Sequence, residues 1–357
     1  MSRVLVAMSG GVDSSVAAFL LKEQGYDCIG ATMRLFDNED AGFSREKSCC
    51  SLEDTEDARS VARRLSMPYY VFNFMGDFHT QVISRFADCY EKGGTPNPCI
   101  DCNRYLKFDR MLRRARELEC EAVATGHYAR IEQKDGRRLL KKAEDKSKDQ
   151  TYVLYAMTQD QLAHTLFPLG GMHKAQTRKI AEEQGFLNAR KRDSQDICFA
   201  PDGDYAAAIA RHTGKTYSPG KFVDRAGNVL GEHQGIIRYT IGQRKGLGLA
   251  LPGPMYVCEK NVAENTVVLG RNEDLFSTEL VAEDFNWILY ETPPETLRVK
   301  AKIRYSQNEE DATVTPLPKN KVKLVFDRPQ RAVSPGQAVV LYDGDYVVGG
   351  GTIVPSE

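Results

Sequence analysis

At 357 residues the chain is too long for one compact core and is expected to fold as two or three domains. Its 41% hydrophobic and 27% charged residues, with a formal net charge of -1, exclude disordered and fibrous classes and fit a globular protein. In chain order, residues 3–8 form a short apolar run that reads as a strand, followed by a Gly-Gly turn and by VAAFLLKEQG, a helix closed by Gly25. CIGATM (28–33) reads as the next strand, DTEDARSVARRLS (54–66) as a helix with an acidic first turn, and YYVFNF (69–74) as a third strand. KFDRMLRRARELEC then reads as a helix, and AVATGHYA as a strand entering a glycine turn. This alternation predicts an α/β fold whose N-terminal domain, residues 1–204, is a doubly wound parallel sheet. Residues 205–281, thick with glycine and proline, are expected to form a small loop-rich central domain. From 282 to 357 the pattern becomes period-two, with Leu297, Val299, Ala301, Ile303 and Tyr305 alternating with polar residues, as in a C-terminal β-barrel.

Charge is unevenly spread. Residues 104–116, 130–148 and Arg190-Lys191-Arg192 are basic, whereas residues 37–57 hold eight acidic groups against Arg45 and Lys47. Solvated faces explain any one run, but together they permit an RNA-binding face. Met1-Ser2-Arg3 leads into VLVAM without the series of regions that makes a leader peptide, and no stretch approaches the about 20 apolar residues of a membrane helix. A cytoplasmic location, with no membrane partner, is therefore expected. The nine cysteines are then expected to be thiols, fillers, ligands or catalysts.

Ser9-Gly10-Gly11-Val12-Asp13-Ser14-Ser15 stands between the first strand and first helix. Its glycines let the backbone approach a phosphate, its hydroxyls can donate to phosphate oxygens, and the helix start adds unpaired N–H groups. Asp13 would repel a bare anion, which brings in Mg²⁺ as a bridge. The loop has no GxxxxGK[ST] lysine, which argues against γ-phosphate transfer. With these residues the chain resembles the PP-loop ATP pyrophosphatases, which split ATP between the α and β phosphates and activate a carbonyl oxygen as an adenylate. The resemblance implies ATP as cosubstrate, with Met8, Ser9, Gly10, Gly11, Val12, Asp13, Ser14 and Ser15 around the pyrophosphate, Met33 near the adenine and Gly126 against the nucleotide.

Two cysteine segments stand out for their polar, turn-rich surroundings: GGTPNPCIDCNRYLKF with Cys99 and Cys102, and DSQDICFAPDGDY with Cys198. Together with Cys49 and Cys50 they also allow a metal reading, since a CxxC with further thiolates can hold Zn²⁺ or an iron–sulfur cluster, Cys99, Cys102 and Cys198 being the candidate ligands. SGGVDSSV, NPC-x-x-CN-x-x-LKF, ATGHYAR, KDQTYVLY, SQDICF, YTIGQRKGLG and SPGQAVVLY, spread over nearly the whole chain, resemble the tRNA-specific 2-thiouridylases. That resemblance implies ATP-dependent thiolation of the wobble uridine of the tRNAs for Lys, Glu and Gln. The uridine C2 oxygen is adenylated and then replaced by sulfur, supplied by a donor protein such as a cysteine desulfurase or persulfide relay. It makes Cys102 the nucleophile and Cys198 the persulfide carrier, the two closing a disulfide to free the base. It sets Asn97, Pro98 and Cys99 around the target base, and His127, Lys148, Asp149, Gln150, Arg304, Tyr305 and Gln337 against tRNA. Some members carry Asp where Cys99 stands, so the acid/base role proposed for that carboxylate passes here to Asp101 or to water. Two other readings remain at this stage: a PP-loop amidotransferase or ligase, which needs no thiol pair, and a non-catalytic tRNA-binding module.

Overall fold

The computed structural model describes residues 2–36, 52–191, 193, 197–200, 203–251 and 253–355. Cys49, Cys50, Arg192 and the Ser194-Gln195-Asp196 part of the SQDICF motif lie outside the described residues. The chain forms two compact units, one of residues 1–82, 99–204 and 344–347, the other of residues 83–98, 205–343 and 348–357.

The first unit is built on a parallel sheet. β1 (Arg3–Ala7), β2 (Asp27–Arg34), β3 (Tyr69–Asn73) and β4 (Ala122–Ala124) are its first four strands. β1 and β4 are covered on both faces, which is why VLV and AVA read as unbroken apolar runs and not as alternations. β5 (Ala129–Lys134) and β6 (Arg137–Lys142) form an antiparallel hairpin beside it. Asp135 and Gly136 close that hairpin with φ of 50° and 77°, the two positive values a tight primed turn requires. β7 (Thr165–Leu166) completes the sheet in the order β3-β2-β1-β4-β7, with every pairing parallel. The order reverses between β1 and β4, and the crevice beyond their carboxyl ends is where such sheets bind ligands. Helices α1 (Val12–Glu23) and α2 (Leu52–Arg64) pack on this sheet around Val4, Val6, Val16, Leu21 and Val61. α1 stops where Gly25 turns to a φ of 85°.

The second unit carries two β structures. β8 (Gly220–Asp224), β9 (Val229–His233), β10 (Tyr256–Asn261) and β11 (Thr266–Gly270) form a sheet in the order β10-β11-β8-β9. Phe222 is buried at its centre, edge-on to Tyr239 at 5.0 Å and to His233 at 5.5 Å. β12 (Phe276–Trp287), β13 (Leu297–Lys302), β14 (Glu310–Leu317), β15 (Lys321–Arg331), β16 (Ala338–Asp343) and β17 (Tyr346–Ile353) form the C-terminal barrel. It runs β12-β15-β14-β13-β16-β17 and closes when β12 pairs back onto β17. β12 reaches both neighbours by breaking register between Ser277 and Glu279 and again between Glu283 and Asn286, where Asp284 has a φ of 49°. Leu297, Val299, Ala301 and Ile303 point into the barrel core. Tyr305 departs from the predicted alternation: the strand ends at Lys302, the chain turns, and the ring is 45% exposed.

Among the described residues no helix is long and apolar enough to cross a membrane.

Candidate active site

Ser9, Gly10 and Gly11 leave the end of β1 and open α1. Gly10 has a φ of 73°, and a Cβ there would lie 2.2 Å from the Asp54 carbonyl oxygen, so both conformation and space demand glycine. The helix starts at Gly11 without a side-chain cap, which leaves its first amides directed outward beside the positive end of the dipole. Ser9 is exposed, but Ser14 and Ser15 are buried and both hydroxyls donate to Gly11 O, at 3.1 and 3.0 Å. These two serines therefore hold the turn, and Ser9 is the hydroxyl the loop presents. Met8 and Val12 are core side chains that contribute backbone to the loop, while Met33 is half-buried at the end of β2. Gly126, just past β4, comes so close that its Cβ would lie 2.7 Å from Ser14 N and 2.8 Å from Asp13 C.

Asp13 already has a counter-charge. Lys174, at the start of helix Lys174–Glu183, places Nζ 2.7 Å from both Asp13 carboxylate oxygens and 2.8 Å from Asp193 Oδ1. The Tyr128 hydroxyl lies 3.0 Å from Asp13 Oδ1 and from Thr177 Oγ1, and burial holds its phenol well above the usual range. Lys148 and Arg178 also bond Asp193, each at 2.9 Å. Burial pushes the Asp193 carboxyl up, but the hydrogen bonds from Lys174 and Lys148 outweigh it and hold the group below the ordinary carboxylate range. Within this cluster three cations, Lys148, Lys174 and Arg178, meet two carboxylates, Asp13 and Asp193. Lys174, Arg178 and Asp193 were not singled out from sequence, because nothing local marks a lysine that meets its aspartate 161 residues away.

Asn188 and Lys191, which precede Cys198 in the chain, are bound to the same loop and to the start of α2. Asn188 Nδ2 donates to Gly10 O at 2.8 Å and to Ser15 Oγ at 2.9 Å. Lys191 Nζ bonds Asp54, and Asp57 at 2.7 Å. Burial pulls that ammonium down, but the two carboxylates raise it further and keep it above the ordinary lysine value. Phe199, beside Cys198, packs edge-on against Phe78 at 5.9 Å, and Asp77 next to Phe78 holds Arg110 at 2.9 Å. Arg110 ends the wide π-helical segment Cys102–Arg110, which continues the helical turn Pro98–Asp101 and passes into helix Met111–Glu117. The helix thus begins nine residues before the predicted one, with Pro98 at its first position, where a missing N–H costs nothing.

Cys99 is exposed, whereas Cys102 and Cys198 are half-buried thiols. Asn103, beside Cys102, is buried and donates Nδ2 to Val153 O at 3.0 Å. Among the described residues, Asn103 Oδ1 and Asn188 Oδ1 are the buried side-chain oxygens left without a hydrogen bond, one next to Cys102 in sequence and one on the asparagine that donates to the phosphate loop. No three His, Cys, Asp or Glu side chains converge among the described residues. A structural metal site needs several donors about 2.0–2.3 Å from one point, and Cys99, Cys102 and Cys198 are not gathered into such a group among the described residues.

The residues expected at tRNA have mostly internal partners. His127 is only 8% exposed, packed near Phe108 and Phe167, with Nδ1 2.7 Å from Thr125 Oγ1. Burial, aided by the Lys107 charge, pushes it well below its ordinary value, so the ring is neutral. Asp149 accepts from Ala143 N and Thr151 Oγ1, and Gln150 Oε1 accepts from Tyr128 N. In the second unit Arg304 Nη2 donates to Ala332 O and Ser334 Oγ, and Gln337 Nε2 donates to Thr95 O. The basic helix is partly self-neutralised: Arg110, Arg113, Arg114 and Arg116 meet Asp77, Asp109, Glu117 and Asp160. Exposed pairs of this kind are worth about 0–1 kcal/mol, little enough for a phosphate to displace them.

Comparison with known proteins adds an independent line. Residues 2–202 match the tRNA methyl transferase HUP domain family, residues 207–271 the tRNA methyl transferase PRC-barrel domain, and residues 277–353 the aminomethyltransferase beta-barrel domain. The chain is 53% identical over 356 residues to the tRNA-specific 2-thiouridylase MnmA of Clostridioides difficile (strain 630), covering 99% of this chain and 98% of that one. It is 54% identical over 354 residues to the protein of the same name from Acetivibrio thermocellus, covering 98% and 99%. Among solved structures, a 4-thiouridine synthetase–RNA complex with bound ATP aligns over 60% of this chain and 50% of its own, at 18% identity and a TM-score of 0.37, too low to carry an argument.

Proposed function

Because the chain belongs to the tRNA-specific 2-thiouridylase family, we propose that it thiolates C2 of the wobble uridine in the tRNAs for Lys, Glu and Gln, using ATP. The observation that carries this reading is the phosphate loop at the switch point of a parallel sheet, held by Asn188 through hydrogen bonds to Gly10 O and Ser15 Oγ. The family models are described by methyl transfer and the relatives by thiolation; thiols in the polar segments around Cys102 and Cys198 are what sulfur transfer needs.

The uridine O2 attacks the α-phosphorus of ATP and pyrophosphate leaves. The amides at the start of α1, Ser9 Oγ and Lys174 stabilise the charge that develops on the leaving group. Asp13 is the loop carboxylate suited to Mg²⁺, which takes one or two carboxylates together with phosphate oxygens and waters. With Mg²⁺ on Asp13, Lys174, which now bonds both Asp13 oxygens, would be released to bind the phosphates. The outer sulfur of a persulfide on Cys198 attacks C2 and AMP departs. The Cys102 thiolate attacks Cys198 Sγ, leaving the sulfur on the base and a Cys102–Cys198 disulfide that a reductant must reopen. Asn97, Pro98 and Cys99 surround the base, and Asp101 or water moves the proton. His127, buried and neutral, supports the Gly126 turn. The domain division 1–204, 205–281 and 282–357, a cytoplasmic location and a separate sulfur-donor protein complete the reading.

The test is to incubate the protein with unmodified tRNA, ATP, Mg²⁺ and sulfide or a cysteine desulfurase system, and to measure 2-thiouridine by nucleoside mass spectrometry. Cys102→Ser and Cys198→Ser are each expected to abolish sulfur incorporation while still binding ATP. A normal rate in either variant overturns the mechanism.

A further inference from the structure

Within the second unit, the segment that leads to Asn97 and Pro98 is held from two β structures. Lys260, on β10, donates Nζ to Gly94 O at 3.2 Å and to Tyr239 O at 2.9 Å, and lies 5.5 Å from the centre of the Tyr90 ring. On the next residue, Gln337 Nε2 donates to Thr95 O at 2.8 Å and Thr95 N donates to Pro335 O at 2.8 Å. Gly94 N closes onto Cys89 O at 2.8 Å. There is no slack around this point. A Cβ on Gly94 would lie 2.5 Å from Cys89 Sγ and 3.1 Å from both Cys89 O and Pro335 O. Burial pushes the Lys260 ammonium down to about 8, against the opposing influence of the nearby Cys89. Lys260 is half-buried; a cation withdrawn from water in this way is expensive to keep where an apolar side chain would pack as well, and what this one adds is direction, through two carbonyl acceptors.

We propose that Lys260 is a positioning residue for thiolation: with Gln337 it pins residues 94–95, so that Asn97 and Pro98 present a fixed wall to the target base. The role rests on the function proposed above. It also means that Gln337 acts on tRNA through Thr95.

The experiment uses the full chain and the variants Lys260→Met, Lys260→Arg and Gly94→Ala, the last loosening the same point from the other side. Hydrogen exchange of peptides spanning 90–98 and steady-state thiolation are measured together. Lys260→Met and Gly94→Ala are expected to speed exchange at the Gly94 and Thr95 amides and to lower kcat for tRNA about 10- to 100-fold, the scale of a misplacement near 1 Å, with the KM for ATP unchanged. Lys260→Arg, which keeps a donor, is expected to recover part of kcat. Unchanged exchange, or a wild-type kcat in Lys260→Met, overturns the role; if Lys260→Met does not fold, a wild-type kcat in Gly94→Ala does so. A wild-type chain that makes no 2-thiouridine removes the function and this role with it, whereas a thiolating wild type with an equally active Lys260→Met removes this role alone.

Discussion

Lys174 brings to the phosphate loop a lysine that the loop's own sequence lacks. It reaches Asp13 from a helix of its own, and Asp193 returns part of its charge. Replacing it with Met leaves Asp13 with the Tyr128 hydroxyl and no cation, in a place where anionic phosphates are proposed to bind. Lys174→Met is therefore expected to slow tRNA-dependent pyrophosphate release about 100-fold, the usual effect of losing one charge-stabilising donor, with little change in tRNA affinity. Pyrophosphate release at the wild-type rate would remove Lys174 from the chemistry. The sequence makes Ser9, Ser14 and Ser15 look equivalent; packing separates them, because Ser15 is buried between Gly11 O and Asn188.

Among the elements, the loop between β1 and α1 and the turn after β4 matter most, since their backbones nearly touch at Gly126. Gly126→Ala pushes a methyl group into the Asp13–Ser14 backbone and is expected to raise the Kd for ATP about tenfold or more without unfolding the sheet. Gly171→Ala, which meets nothing within 4 Å, is the control expected to bind ATP normally. Calorimetric titration of ATP distinguishes the two, and equal affinities would mean that the loop yields freely. The β5–β6 hairpin shows a signal that was present but unused: Asp135-Gly136 between runs of strand residues is a hairpin turn by local chemistry alone.

For the molecule as a whole, Lys260 also ties stability to pH. Its folded value of about 8 lies below the ordinary lysine value of 10.5, so between these pH values the unfolded chain binds the proton more than the folded one. The cost of burying the ammonium is full below about pH 8 and disappears as the pH rises toward 10.5. In denaturant unfolding, the stability of the wild type relative to Lys260→Met is expected to improve from pH 7.5 to pH 9.5, as the approximate window of that linkage. A pH-independent difference would mean that the ammonium is not desolvated. What the sequence determined by itself is what short-range physics governs: the strand, glycine turn and helix at the N-terminus, the parallel sheet implied by alternating strands and helices, the period-two pattern of the barrel strands, and motifs long enough to carry a family resemblance. Tertiary structure alone decided which charges meet. Asp13 finds Lys174, Asn188 finds Gly10, and Lys260 and Gln337 find residues 94–95, because hydrogen bonds and ion pairs depend on distances of about 3 Å that no spacing along the chain encodes.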